Sequence, residues 1–172
     1  MNAKQINYIQ TQIGYPFRNP ILLRQAFTRK SYTNEHPKVQ NNEVLEFHGD
    51  SILNSTFSQL MTLRYGHINT TGEFVSDFDQ NQLTRIRQML VCKTTLSRHI
   101  NALDLSQYLI VGRGDCNNGV QNQPSVKEAL FEAILGAVAL DCDWNWATLL
   151  EIVERMLSED EISKSVLAAK RK

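Results

Sequence analysis

The sequence is short of cysteine, of long apolar runs and of excess charge of either sign, and each shortage excludes something. Its three cysteines, Cys92, Cys116 and Cys142, are odd in number and widely spaced. They form neither a CxxC pair nor a disulfide framework, which fits a reducing compartment. No stretch is long and apolar enough to span a bilayer, so no membrane association is expected. The first residues are polar and interrupted by Gly14 and Pro16. No secretory signal is read there, and a cytoplasmic location is expected. Lys plus Arg number 18 against 18 Asp plus Glu, a formal net charge of zero, with a pI near 6.9. That balance argues against gripping nucleic acid by bulk charge and leaves room for a local basic face. No internal repeat, low-complexity segment or nucleophile elbow is present. What remains is a chain of 172 residues, 42% hydrophobic, with a mean hydropathy of -0.33. It is long enough for one domain with a real core and reads as soluble and globular.

The densest chemistry lies in Asn41 to Ile52, which reads NNEVLEFHGDSI. Glu43, Glu46 and Asp50 are spaced by three and four, so a helix lines them up in one stripe. Like charges that close repel, by a few tenths of a kcal/mol (~0.2–0.5) per exposed pair. Gly49 sits inside the same pattern, where glycine costs roughly 1 kcal/mol relative to alanine. Its presence points to close approach of a backbone or a ligand. Acids with an interior glycine suggest a hard-cation site between packed helices. A merely solvated acidic face is the plainer reading of the same residues.

Along the chain, apolar spacing predicts a helix over 2–13 that stops at Gly14, then a second starting at Pro20 with Asn19 as its cap. Residues 33–40 read as a loop. The acidic helix is expected to run to Tyr65 and stop at Gly66, burying Leu45, Ile52, Leu53, Phe57, Leu60 and Leu63. Residues 67–81 read as a surface loop with at most one helical turn. A single helix is expected over 82–101, with Leu83, Ile86, Met89, Leu90, Leu96 and Ile100 inside. Its other face carries Arg85, Arg87, Lys93 and Arg98, either an RNA backbone track or ordinary solvated charge. Arg29 and Lys30 can likewise meet a phosphate or merely face water. The Arg-Gly-Asp at 113–115 is read as part of a flexible turn, and 116–124 as loop. A final helix is expected over 144–157 with Asp143 as cap, followed by a polar tail over 161–172 ending in AAKRK.

The second candidate half-site is Ser125 to Leu140, SVKEALFEAILGAVAL. Ala129, Ala133, Gly136, Ala137 and Leu140 make a narrow small-residue stripe, suited to close packing against the Gly49 helix. Glu132 lies about 60° from Ala129, at the stripe's edge. A carboxylate there is costly unless exposed, paired or metal-bound.

Taken whole, the string from Asn42 to Leu53 resembles the signature of the ribonuclease III family, enzymes that cut double-stranded RNA. It departs at His48, where the family has an apolar residue. The opening IGYPFRNPILLRQAFTRKSY resembles the family's first helices, with Arg29 where a Thr-His-x-Ser element has histidine. Leu83 to Val91 resembles the helix that follows the signature, and Gly112 to Asp115 a family turn. Phe131, Glu132, Ala133, Gly136, Ala137, Leu140 and Asp141 match the family's second acidic motif without gaps. In that motif Ala129 replaces an aspartate and Glu128 stands where an alanine is usual. Glu128 falls about 40° from Glu132 on the opposite flank from position 129. It reaches the cluster only through its longer side chain or a water. Over roughly residues 10 to 160 the two motifs keep their order.

The resemblance implies an all-α fold, an endonuclease domain over 1–160 with the basic tail beyond it, and a chain that stops before any double-stranded-RNA-binding domain. It implies Mg²⁺, with Mn²⁺ as substitute, held by Glu46 and Glu132 with Asp50 through water, Glu128 as a candidate fourth carboxylate, and Glu43 assisting at the phosphate. Arg29, Lys30, Arg85 and Arg87 are the expected RNA contacts. A homodimer in which Phe47 plugs into the partner is expected, cutting each strand to leave 5′-phosphate and 3′-hydroxyl ends with short 3′ overhangs. Ala129 keeps open a catalytically weak domain that binds RNA or a partner.

Overall fold

In the computed structural model, which describes residues 1–170, helices dominate and one small hairpin interrupts them. Helix α1 (Ala3–Ile13) begins in a capping box between Asn2 and Gln5 and ends at Gly14, whose φ of 83° is left-handed. Helix α2 (Pro20–Ala26) starts as expected, with the Asn19 side chain accepting from Ile21 N–H. A short α3 (Lys30–Glu35) leads to the longest helix, α4 (Glu43–Tyr65). The other long helix is α8 (Pro124–Asp141), buried along most of its length.

These two helices cross antiparallel at their glycines. A Cβ on Gly49 would overlap the carbonyl oxygen of Glu132, and one on Gly136 would overlap that of Leu45. Two bare Cα positions therefore set the axial separation, and only glycine permits it. The glycine of the acidic string thus admits a backbone. The crossing also places Glu46 and Asp50 beside Glu132.

Behind the crossing, Asp141 at the end of α8 is buried and accepts from Tyr15 Oη (2.9 Å), Arg18 N (2.8 Å) and Asn19 N (2.8 Å). One carboxylate thereby ties the loop between α1 and α2 to the core. The next two residues after Cys142, Asp143 (φ 53°) and Trp144 (φ 58°), are left-handed and turn the chain into α9 (Trp146–Leu157). The expected cap Asp143 therefore lies outside the cap position. Asn145 caps α9 instead, accepting from Thr148 N at 3.0 Å, and Asp143 pairs with Arg18.

Other expectations change as well: helix α3 takes up residues 33–35 of the expected 33–40 loop, and the expected turn and loop over 113–124 hold a short helix over Arg113–Asn117 and a 3-10 turn over Val120–Asn122. Residues 67–81 hold a hairpin, β1 (Gly66–Ile68) paired antiparallel with β2 (Phe74–Ser76), in the register Gly66↔Ser76. Asn69 closes its turn by accepting from Thr71 N (3.0 Å) and Glu73 N (2.9 Å), a local side-chain bond that periodicity does not register. The single helix over 82–101 is two, α5 (Gln80–Leu90) and α6 (Lys93–Ala102). Thr95 Oγ1 donates to the Met89 carbonyl at 2.7 Å and so satisfies the end of α5. Leu63 is 64% exposed on α4 and Leu140 40% exposed on α8, so neither is an inner contact. Beyond a one-turn α7 (Arg113–Asn117), the polar tail is largely helix α10 (Glu159–Lys170). Ile162, Val166 and Ala169 bury its inner face against α5 and α9. The basic end expected at AAKRK extends to Arg171 and Lys172, which lie outside the described residues.

Candidate active site

Glu43, Glu46, Phe47, Asp50 and Glu132 line one open cleft of ≈ 430 Å³ over the α4–α8 crossing. Three of the acids come from successive turns of α4, and Glu132 comes from the facing turn of α8. Asp50 is exposed and its Oδ1 accepts from Asn54 Nδ2 at 3.0 Å. Glu43 is also exposed and accepts from Lys30 Nζ at 3.0 Å. Glu46 and Glu132 are half-buried.

The electrostatics follow from that burial. Desolvation is the main force pushing the Glu132 carboxyl up to about 8, and the charges of Asp50, Glu128 and Glu46 add to it. Glu46 is also raised, first by desolvation and then by Glu43, while Arg29 pulls it back down and Glu128 pushes it up. Carboxylates held this way favour either protons or a cation among them. Among the described residues, no three acidic, histidine or cysteine side chains converge into a finished coordination sphere. The donor set still fits a hard ion such as Mg²⁺, which keeps several waters and needs only one or two direct carboxylates.

The remaining expected residues divide. Glu128 does not line this cleft. Its Oε2 lies 3.8 Å from Lys93 Nζ on α6, on the flank away from Ala129, so only its field reaches Glu46 and Glu132. Arg29, Lys30 and Ala129 line a second cavity of ≈ 270 Å³ that shares Glu43 and Glu46 with the first. Arg85 and Arg87 sit on α5 and line neither. Arg87 instead borders a separate cavity of ≈ 590 Å³ beside Phe57, Met61 and the hairpin. Phe47 is 71% exposed, which excludes a core role within this chain. His48 meets the Trp144 ring edge-on at 6.0 Å, an aromatic contact in place of the apolar residue the signature has there.

Two contributors escaped the sequence reading. Asp115 accepts from Arg29 Nε (3.1 Å) and Ser31 Oγ (2.6 Å), and so fixes the direction of the arginine. Asn54 steadies Asp50. The only signal for either was position: Ser31 in the Thr-x-x-Ser frame, and Asn54 one helical turn after Asp50.

A predominantly helical domain with carboxylates gathered where two glycine-notched helices cross has the architecture of a ribonuclease III nuclease domain. A family model described as Ribonuclease-III-like matches residues 19–159, and the chain belongs to that family. It is 46% identical over 157 residues to ribonuclease 3 of Treponema succinifaciens, covering 91% of this chain and 42% of that protein. To ribonuclease 3 of Roseburia hominis it is 43% identical over 175 residues, covering 94% and 49%. The chain spans about half the length of the curated relatives it matches. The nuclease domain of ribonuclease III from Campylobacter jejuni superposes with a TM-score of 0.74 at 26% identity, covering 88% of this chain and 95% of that one. A second structure of that domain, at 2.2 Å resolution, gives the same score over 93% and 97%. The first of these is described as flexible in a region involved in its dimer formation.

Proposed function

We propose that this domain is a metal-dependent endoribonuclease that cuts double-stranded RNA as a homodimer. The observation that carries the reading is the gathering of Glu46, Asp50 and Glu132 in one cleft, with Glu132 pushed to about 8 by burial and by its neighbours. Family membership supports the reaction, and the relatives' name supports the substrate class.

Glu46 and Glu132 would hold Mg²⁺, or Mn²⁺ in its place, and Asp50 would act through a bound water. Bound there, the ion would polarise a phosphoryl oxygen and lower the pKa of an attacking water. Asn54 keeps the Asp50 carboxylate turned along α4. Glu43, tethered by Lys30, borders the place where the scissile phosphate would lie. Arg29, Lys30, Arg85 and Arg87 are assigned to RNA phosphates. Little sequence preference is expected, because A-form duplexes are read by shape, phosphates and 2′-hydroxyls. The products would carry 5′-phosphate and 3′-hydroxyl ends with short 3′ overhangs.

The test is cleavage of a long RNA duplex with Mg²⁺ and then Mn²⁺. Wild-type protein is expected to cut, and Glu132→Gln to lose more than the roughly 10–100-fold that removal of an outer-shell partner costs. Intact duplex under both ions would reject the reading.

One observation favours a second reading. Ala129 offers no ligand, and the nearby Glu128 is turned toward Lys93. A domain that binds duplex RNA without cutting it would satisfy that geometry. It is distinguished by tight duplex binding with no cleavage under either ion.

A further inference from the structure

The cavity of ≈ 270 Å³ beside the carboxylate cleft is lined by a buried amide with nothing to bond. Asn42 is only 5% exposed. Its backbone is fixed on both sides: its N–H donates to the Thr28 carbonyl and its carbonyl accepts from Glu46 N, each at 2.9 Å. It stands at the N-cap of α4, yet its φ of -88° and ψ of -6° are already helical and its side chain makes no capping bond. Asn41 serves the helix start instead, its Oδ1 accepting from Glu43 N at 3.0 Å. The Asn42 amide is left without a hydrogen-bond partner among the described residues, and neither its nitrogen nor its oxygen is sealed off from the cavity. A buried amide left unpaired is costly, so a structure that keeps one has a place for an incoming polar group.

The other lining residues say which group fits. Arg29 Nε is already 3.1 Å from Asp115, and Lys30 Nζ 3.0 Å from Glu43. Ala129 adds no charge where the family has aspartate. Beyond Asn42 the cavity offers the Gln123 amide, the Ser125 hydroxyl and the carboxylates of Glu43 and Glu46. Donors and acceptors side by side suit a hydroxyl, which does both. A phosphate only accepts, and the two carboxylates repel it. Through Glu46 the cavity adjoins the cleft of Asp50 and Glu132. In an RNA strand, the neighbour of each phosphate is a ribose with a 2′-hydroxyl.

We propose that Asn42 reads a ribose 2′-hydroxyl beside the phosphate held in the cleft, and so selects RNA over DNA at this site. This rests on the double-stranded-RNA reading above. Asn42 Nδ2 donates to the hydroxyl oxygen, and the hydroxyl hydrogen turns to a lining carboxylate. Deoxyribose leaves the amide unpaired, which places the penalty on the wrong substrate.

The test is binding of a short labelled RNA duplex to the full chain, read by fluorescence anisotropy in a chelating buffer so that nothing is cut. A second duplex of the same sequence carries 2′-fluoro ribose, which keeps the A-form and has no hydroxyl. Wild type is expected to prefer the all-ribose duplex. In Asn42→Leu that preference should shrink by about 10-fold, with the fluoro duplex bound no more weakly than by wild type.

An equal loss on both duplexes would mean a purely structural role, and an unchanged preference would mean that the hydroxyl is read elsewhere. Either result overturns the proposal. If circular dichroism shows Asn42→Leu unfolded, Asn42→Ala, which adds no bulk, is measured in its place against the same outcomes. A folded wild type that binds neither duplex rejects the double-stranded-RNA reading itself, a different failure from a preference that Asn42 does not control.

Discussion

At the scale of the single residue, Glu132 concentrates the cost of the site. Its folded-state proton affinity is raised from the ordinary 4.5 to about 8. In that window the folded protein holds a proton that the unfolded chain releases. Stability should therefore fall as pH rises from about 4.5 to about 8, with the whole penalty present above it. The raised Glu46 acts in the same direction. Thermal unfolding in a chelating buffer at pH 5, 6.5 and 8 checks this. Wild type should lose more of its midpoint across the series than Glu132→Gln, and a divalent cation should restore part of the loss at pH 8. Parallel curves for the two proteins would show that burial does not strain this carboxylate. Glu46, Asp50 and Glu132 were all nominated from spacing and motif, and the structure brings them to one cleft. The state of each was not legible. Which acid is half-buried, and which neighbour's field reaches it, depends on the facing helix. The same holds for Arg29, whose ion pair with Asp115 joins residues 86 positions apart.

At the scale of the element, the α4–α8 crossing is the part on which the site depends. Gly49→Ala would drive a methyl into the Glu132 backbone, which cannot move as a side-chain tip can. Overpacking typically costs about 1–3 kcal/mol, and a backbone obstacle belongs at the upper end. The variant should melt at a lower temperature, and it should also lose activity beyond its loss of fold, because separating the helices parts Glu132 from Glu46 and Asp50. Chemical denaturation and duplex cleavage, run on the same preparation, measure both. Full activity in a destabilised but folded variant would uncouple the crossing from the site. The long helices were legible because their apolar residues recur at helical spacing over most of their length and Gly66 marks the end of α4. The hairpin, the break between α5 and α6, and the cap of α9 were not. Each depends on one polar side chain, Asn69, Thr95 or Asn145, bonding locally to backbone. α10 was missed for the opposite reason. Its inner residues Ile162, Val166 and Ala169 are few and small, and only α5 and α9 make them a core face.

At the scale of the whole molecule, the open question for the proposed function is what covers α4. Phe47 is 71% exposed and Val44 64% exposed on the same helix as the acids. Phe47, His48 and Trp144 form a continuous aromatic strip, with ring centroids 5.5 and 6.0 Å apart. Large apolar side chains are placed in water at a cost, so such a strip beside a cleft marks an interaction surface. Under the homodimer reading, Phe47 enters the partner. Because it also lines the carboxylate cleft, dimerisation would wall that cleft and align two of them on one duplex. Phe47→Ala is the appropriate variant, since an acidic replacement would add charge to the cleft and confuse the two effects. Light scattering after size-exclusion chromatography should find wild type dimeric at micromolar concentration and the variant shifted to monomer. Hot-spot aromatics commonly contribute about 2 kcal/mol or more when truncated, which corresponds to a dimer roughly 30-fold weaker. Mn²⁺ binding by the variant should survive, because its ligands lie within one chain, whereas duplex cleavage should fall with the dimer fraction. A variant that stays dimeric would mean that the strip faces RNA or another protein. A monomer that cuts at the wild-type rate would mean that one cleft works alone.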